Sequence, residues 1–450
     1  MIWTGESVAA VLNTDSDSDR SFSEVSTDTR TLKRKALFVA LTGEHFDGHD
    51  FLEAAREAGA TGAVVRRGSP HLDGMEQFEV DDPLVALGLL ARARRREVPG
   101  PVIAVTGTNG KTATKEMLAK ALGTRWKVHS TLANLNNLIG VPQAILTAPD
   151  GTEALVLEAG ANAVGEIERL RGIIEPTVAV VTNVSASHLA GFGSLEAVLA
   201  EKVSLVRDAP LAVVGTRPEE LFEEAGRSAH RVISAGTGGR AEVTPDEWTV
   251  GEDGRGTLTF RGQRVELPLV GRHQVENATI ALAVAVELDL DLTRVARALE
   301  EVSLPAGRCE VVRWGGDGGG GGGVILNDSY NANPESMRAS LETAADMRAD
   351  RPFVAVVGSM LELGEHSSRL HLESAEAILR QNPKLIGATG DFIDAFETLG
   401  VPGDRLVTSR DVEELGSVLR GRLTGNEFVL VKASRGVGLE RVIPLLTGGN

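Results

Sequence analysis

Cysteine is almost absent: Cys309 is the single one in 450 residues. No disulfide can form within the chain, which fits a reducing compartment. A lone cysteine can be a nucleophile, but a small packed residue is the expected role. Aromatic residues are scarce at 4%, and there is one tyrosine, Tyr330. No apolar run approaches the ~18–20 residues that a membrane helix needs. The start, Met1-Ile2-Trp3-Thr4, lacks the basic and apolar regions of a signal peptide. A cytoplasmic protein without membrane insertion is expected. Positive charge is also in deficit. The net charge of −17 disfavours nucleic acid and anionic membrane, so no nucleic-acid partner is expected. A local patch can still bind a small anion.

What is present points to several cores. At roughly 100–200 residues per domain, this length implies two to four domains. Short apolar strands alternate with helical patterns almost throughout, the signature of α/β sheets that are mostly parallel. Boundaries are placed near Val98-Pro99-Gly100-Pro101, after the Arg-rich stretch from Arg92 to Arg96, and near Pro305-Ala306-Gly307. The division is 1–98, 99–306 and 307–450. Within the middle part, residues 242–269 read as a β-like insertion with a hairpin. The run from Gly315 to Gly323 is nearly pure glycine and reads as a flexible connection between two strands.

The strongest local signal runs from Val102 to Thr112. A buried strand enters a Gly-rich turn, Thr106-Gly107-Thr108-Asn109-Gly110, and Lys111-Thr112 open a helix. Glycines let backbone N–H groups converge on phosphate oxygens, and the helix N-terminus favours the anion. Lys111 can neutralise the β and γ phosphates, and Thr112 can ligate Mg²⁺. The spacing departs from the common pattern, since Val105 stands where the first glycine usually does. This motif gives a nucleotide phosphate site and no reaction.

The segment Thr106 to Thr112 resembles the phosphate loop of the Mur ligase family, shared by folylpolyglutamate synthases. Further segments carry the likeness. They are Asn134-Leu135-Asn136-Asn137, Leu157-Glu158-Ala159-Gly160, Thr182 to Leu189, Gly271 to Ala278, Gly307-Arg308, Asp328 to Pro334, Gly358 to Gly364, and Val431 to Gly436. Asp328-Ser329-Tyr330-Asn331-Ala332-Asn333-Pro334 is the most discriminating. It resembles the branch that adds D-alanyl-D-alanine to UDP-N-acetylmuramoyl-tripeptide, making a peptidoglycan precursor.

The resemblance implies a three-domain α/β fold. A small UDP-binding domain comes first, a central P-loop ATPase domain second, and a Rossmann-like domain last. It implies a monomer that uses ATP, two Mg²⁺ ions, and CO₂ carried as a carbamate on Lys202. Lys111, Lys202, His188 and Asn137 are the implied catalytic residues. Thr112, Glu158, His188 and Lys202 are the implied metal ligands. Gly107, Thr108, Asn109, Gly110, His273, Asn277, Arg308 and Asp328 fall to the nucleotide. Thr27, Asp28, Thr29, Arg30, Asp47, Gly48 and His49 fall to the uridine diphosphate end. The remaining substrate contacts are Asn134, Asn136, Asn137, Tyr330, Asn331, Asn333, Lys432 and Arg435.

Without the resemblance many of these read more plainly. Lys202 is a solvated helix lysine, Glu158 a strand-end cap, and Asn134 to Asn137 a polar loop. The flanking Val203-Ser204-Leu205 departs from the family's usual residues, as do Gln274 and Glu276. A tripeptide-forming muramoyl ligase, a folylpolyglutamate synthase, and a P-loop kinase or nucleotide switch stay open as alternatives.

Overall fold

The computed structural model describes residues 3–16, 18–43, 45–132, 134–186, 189–315 and 322–448. Two compact units emerge. The first is Met1–Thr106, Arg125–Ala161 and Gly165–Val180; the second is Gly107–Thr124, Asn162–Val164 and Val181–Asn450.

In the first unit, four parallel strands lie in the order Val25–Ser26, Leu37–Val39, Gly62–Arg66, Glu76–Val80. Strand Leu37–Val39 is buried along its whole length, as expected of a parallel strand covered on both faces. Phe38, Val65 and Ala55 pack with the helix Leu52–Ala58 on one side. Gly59, at φ 107°, ends that helix. On the other side Leu87 and Leu90 of the helix Pro83–Arg95 meet Trp3, Val8 and Phe78. Asp82 starts the helix by accepting from Leu84 N at 2.8 Å, with proline at the first helical position.

The Arg-rich end of that helix is an anchor. Arg95 donates to the carbonyls of Ile174 (2.6 Å) and Glu175, which close the helix Glu166–Ile174. Arg94 donates to Ala148 O at 3.0 Å, and Arg96 pairs with Glu175 at 2.5 Å. Cations suit the carbonyl end of a helix, where the dipole is negative. The same unit holds the parallel ladder of Val102–Thr106, Ala154–Glu158 and Val128–Ser130.

In the second unit, the helix Lys111–Leu122 packs on the helices His273–Glu287 and Leu292–Leu299. The expected β insertion is a three-stranded antiparallel sheet of Glu247–Val250, Arg255–Phe260 and Gln263–Val270. Arg261 and Gly262, both at positive φ, form its tight turn. The first of these strands was not legible from the hairpin pattern.

The last part carries a six-stranded sheet. Its order is Glu310–Trp314, Gly323–Asn327, Phe428–Lys432, Phe353–Val357, Leu385–Ala388, Leu406–Thr408. Only the first pairing is antiparallel. The glycine run joins the first two strands, as expected, though residues 316–321 lie outside the described set. Strand Phe428–Lys432, last in sequence, is inserted between the strands that end at Asn327 and Val357. The carboxyl ends of these three strands therefore place Asp328, Gly358 and Ala433 side by side, at the kind of position where open α/β sheets bind ligands.

His371 holds one wall of that edge. It is 1% exposed. Its Nε2 accepts the Met360 N–H at 2.9 Å, and its Nδ1 donates to Ser367 O at 2.8 Å. The first bond needs the neutral ring, since a protonated Nε2 cannot accept, and burial lowers the ring's pKa. The unfolded chain therefore takes up the proton first. This contribution to stability is full above the usual histidine value of about 6.5 and is lost as pH falls below it. His371→Gln keeps an acceptor for Met360 without a titrating ring. Its thermal midpoint should fall less steeply than wild type between pH 7.5 and 5. Superimposable pH curves would refute the assignment.

Candidate active site

The phosphate loop is fixed sterically. Gly107 has φ 140°, and a Cβ there would collide with the Thr182 hydroxyl. Gly110 has φ 80°, and its Cβ would lie 2.5 Å from Asn277 Oδ1. Neither position tolerates a side chain. The segment 182–185 supports the loop from the side. Thr108 N donates to Asn183 O at 2.8 Å and Asn109 N to Asn183 Oδ1 at 3.0 Å. Thr182 Oγ1 donates to Asn109 O at 2.6 Å, and Ser185 N to Thr108 Oγ1 at 3.0 Å. Lys111 folds back over the loop, its Nζ on the carbonyls of Gly107 (2.7 Å) and Thr108 (3.0 Å). That holds the ammonium over the loop. Thr112, in the first helical turn, is buried.

Of the residues expected at the nucleotide, Asn277 packs on this loop. Asn277 lies against Gly110 and donates to Gln274 Oε1 at 3.1 Å. Gln274 in turn contacts His273 at 3.1 Å. Burial lowers the pKa of His273, against the Asp328 carboxylate. Asn109 reaches the last part of the chain. Its Oδ1 accepts from Asn333 Nδ2 at 2.8 Å, and its Nδ2 donates to Glu335 at 3.0 Å.

The Asp328 segment is braced from within. Lys432, 1% exposed, pairs with Asp328 Oδ2 at 2.5 Å and donates to Asn331 O at 3.1 Å. Ser340 donates to the same carboxylate oxygen at 2.5 Å, and Cys309 N to the other at 3.2 Å. Lys432 thus organises this segment in the structure as described. Two guanidinium groups lie over the Tyr330 ring, Arg308 at 3.8 Å and Arg435 at 5.6 Å from its centroid. Burial pushes the Cys309 thiol well up, which leaves no thiolate nucleophile there.

Lys202 is buried on the helix Leu195–Val203, with Nζ 5.8 Å from the Phe192 ring. The plain reading of a solvated lysine is wrong. His188 lies outside the described residues. Among the described residues, no group of three or more His, Cys, Asp and Glu side chains is arranged to hold a metal ion.

In the first unit Glu158, 3% exposed, ends the strand Ala154–Glu158. Asn136 Nδ2 donates to its Oε1 at 2.8 Å, and its N–H meets Thr131 Oγ1 at 3.0 Å. Asn136 therefore orients a carboxylate. Asn137 accepts from Ile139 N and Gly140 N at 3.1 and 2.8 Å, at the start of the helix Gly140–Leu146. Asn134 is exposed.

The first-domain candidates fall into two clusters. Arg30 grips Asp28 with Nη2 to Oδ2 at 2.6 Å and holds that carboxyl at about 2. Thr27 accepts from Gln143 at 2.6 Å, and Thr29 is half-buried. Asp47 accepts from the N–H and Nδ1 of His49 at 3.0 and 2.5 Å, which lowers its carboxyl to about 2. His49 Nε2 accepts the Arg66 N–H at 2.9 Å, so Nδ1 carries the proton. A Cβ at Gly48 would lie 2.5 Å from Leu41 O. Thr131, Gln143, Arg66 and Glu335 carried no signal of their own, because their partners are distant in sequence.

The sequence matches the Mur ligase family catalytic domain over residues 21–95, the middle domain over 105–285, and the glutamate ligase domain over 307–435. The chain belongs to the Mur ligase family. It is an ATP-dependent amide ligase. A Bacillus subtilis UDP-N-acetylmuramoyl-tripeptide–D-alanyl-D-alanine ligase is 33% identical, covering 93% of this chain and 92% of that protein. The Escherichia coli ligase of the same name is 33% identical, at 95% and 94% coverage. Among solved structures, MurF from Acinetobacter baumannii aligns with TM-score 0.89 at 28% identity, covering 100% and 99% of the two chains. MurF from Thermotoga maritima in complex with ADP aligns with TM-score 0.82 at 29% identity, covering 95% and 97%. The Mur ligase fold is accordingly the mixed α/β architecture expected.

A side chain at Gly107 must both adopt positive φ and displace Thr182. Gly107→Ala should weaken ADP binding about fivefold or more by calorimetry, because strain of about 1–3 kcal/mol must be relieved by moving the loop. Wild-type affinity in that variant would show that the loop does not hold the nucleotide.

Proposed function

We propose that this chain joins D-alanyl-D-alanine to UDP-N-acetylmuramoyl-tripeptide, with ATP consumed to ADP and phosphate. The observation that carries the reading is the direct bonding of Asn109 in the phosphate loop to Asn333 in the discriminating Asp328–Pro334 segment. Relatives named for that reaction support it. A kinase or nucleotide switch would not need the last sheet and its braced crevice.

A carboxylate does not react with an amine until it has a leaving group. The tripeptide carboxylate oxygen attacks the γ phosphorus and ADP departs, leaving an acyl phosphate. The dipeptide amine then attacks the acyl carbon, loses a proton and expels phosphate. Lys111 neutralises the β and γ phosphates during transfer, and the loop fixes their position. Mg²⁺, when bound, supplies further charge neutralisation. Thr112 and Glu158 would hold one such ion, and His188 and Lys202, as a carbamate, would hold a second. The Thr112 hydroxyl and the buried Glu158 carboxylate are oxygen donors suited to this ion. The burial of Lys202 favours the carbamate role over a surface one.

Nucleotide contacts fall to Gly107–Thr112, His273, Asn277, Arg308 and Asp328. The uridine diphosphate end falls to Thr27–Arg30 and Asp47–His49. The divisions 1–98, 99–306 and 307–450 are retained as functional domains, and the cytoplasm as the location. No helix among the described residues is long and apolar enough to cross a membrane.

The reading is tested by phosphate release with ATP, the UDP-linked tripeptide and D-alanyl-D-alanine, each omitted in turn. Release should need all three; release without the dipeptide would overturn the assignment. Lys111→Ala should lose at least a thousandfold in kcat while its unfolding midpoint stays near wild type. For the carbamate, wild-type activity should fall in CO₂-depleted buffer and return with bicarbonate, whereas Lys202→Ala stays inactive in both. A fully active Lys202→Ala rules the carbamate out.

A further inference from the structure

The phosphate loop and the last part of the chain are joined by a polar chain that phosphate binding does not explain. Asn109 sits in the loop, yet its amide faces Asn333 and Glu335. Asn333 is also the N-cap of the helix Pro334–Met347, where its Oδ1 accepts from Ser336 N at 2.8 Å. The side chain that starts this helix therefore also binds the loop. Glu335, in the first helical turn, faces Asn109 with one oxygen and Arg217 with the other, at 3.0 and 3.7 Å. Arg217 continues to Glu276 at 2.5 Å, one residue from the Asn277 that packs on Gly110. Arg217 is also tied to the loop's support, since Val184 N donates to its carbonyl at 3.0 Å. The chain thus leaves the loop at Asn109 and returns beside it at Glu276.

We propose that Glu335 and Arg217 are positioning residues of a latch, which holds the Asp328–Pro334 segment on the phosphate loop for the ligase reaction. The inference rests on the function proposed above. Asn109 Nδ2 has its acceptor in Glu335, and the pair is largely screened from water because the Glu335 side chain is 15% exposed. Losing that acceptor leaves only the Asn109–Asn333 amide pair, at 2.8 and 3.4 Å, to hold the segment on the loop, and so weakens the hold. A reaction needing both sides assembled then slows by the fraction of molecules no longer latched. The latch is built from hydrogen bonds and charge. It can therefore open and close without repacking an apolar core.

The test uses the full chain. Glu335→Ala should lower kcat about tenfold with the unfolding midpoint little changed, and Glu335→Gln, which keeps an acceptor for Asn109, should recover most of it. Asn109→Ala/Glu335→Ala should resemble the more damaged single variant, because both break one contact. Losses that multiply to about a hundredfold would overturn the latch. So would wild-type turnover in Glu335→Ala. Hydrogen exchange gives a readout that needs no turnover. Glu335→Ala should raise exchange both in the helix Pro334–Met347 and in loop amides 108–111. A rise confined to the helix would mean that Glu335 serves only its own helix start, and the latch would be rejected. Arg217→Ala, at a half-exposed site, should raise loop exchange in the same direction, and no change there would remove Arg217 from the latch. Failure of wild type to ligate these substrates would reject the functional reading and leave the exchange result to judge the contact.

Discussion

The pairing of Lys432 with Asp328 fixes the crevice from which the rest of the site is hung. A buried ammonium is tolerated only when its donors are met, because desolvation costs more than a lone ion pair returns. Here Asp328 and the Asn331 carbonyl meet Lys432, while Ser340 and Cys309 N meet the carboxylate. The backbone from Asp328 to Asn333 is thereby held in one arrangement. Asn333 can then cap its helix and reach Asn109 with the same amide. Removing one partner would leave the other charge buried, so the network stands or falls together.

The phosphate loop follows a different logic. Its shape comes from two glycines pressed against Thr182 and Asn277, and from backbone bonds to Asn183 and Ser185. These supports are neutral. Lys111 is held over the loop carbonyls. An overall charge of −17 is no obstacle to nucleotide binding when the local field is set by oriented N–H groups, a helix terminus and one lysine. The surface clusters behave likewise. Asp28 and Asp47 are both kept ionised by neighbours two residues away, Arg30 and His49.

Much of the fold could be read from local pattern. The strand at Ala154, the helix after Lys111, the stop at Gly59 and the hairpin near residue 260 each follow from apolar runs and glycine punctuation. The family resemblance brought out Asp328, Lys432, Asn109 and Asn333 as candidate site residues. Their mutual bonding was not legible. Lys432 reads in sequence as an anion contact, and Lys202 as a solvated helix position, yet both are buried. Asn136 reads as a substrate amide, and its bond to Glu158 was not legible. Arg92 to Arg96 reads as a polar helix end before a linker, whereas Arg94, Arg95 and Arg96 bind groups about 54 to 80 positions away.

The sequence by itself determined the chemistry on offer: a phosphate loop, strand-end carboxylates, a few singular lysines and a fold of alternating strands and helices. Periodicity and turn residues act over a few positions, so they specify elements and the groups those elements carry. Tertiary structure decided which groups meet. The strand Phe428–Lys432 enters the middle of its sheet only because distant strands pair around it, and that insertion puts Lys432 beside Asp328. No local pattern encodes such a pairing, since its stability comes from burying apolar faces contributed by widely separated segments.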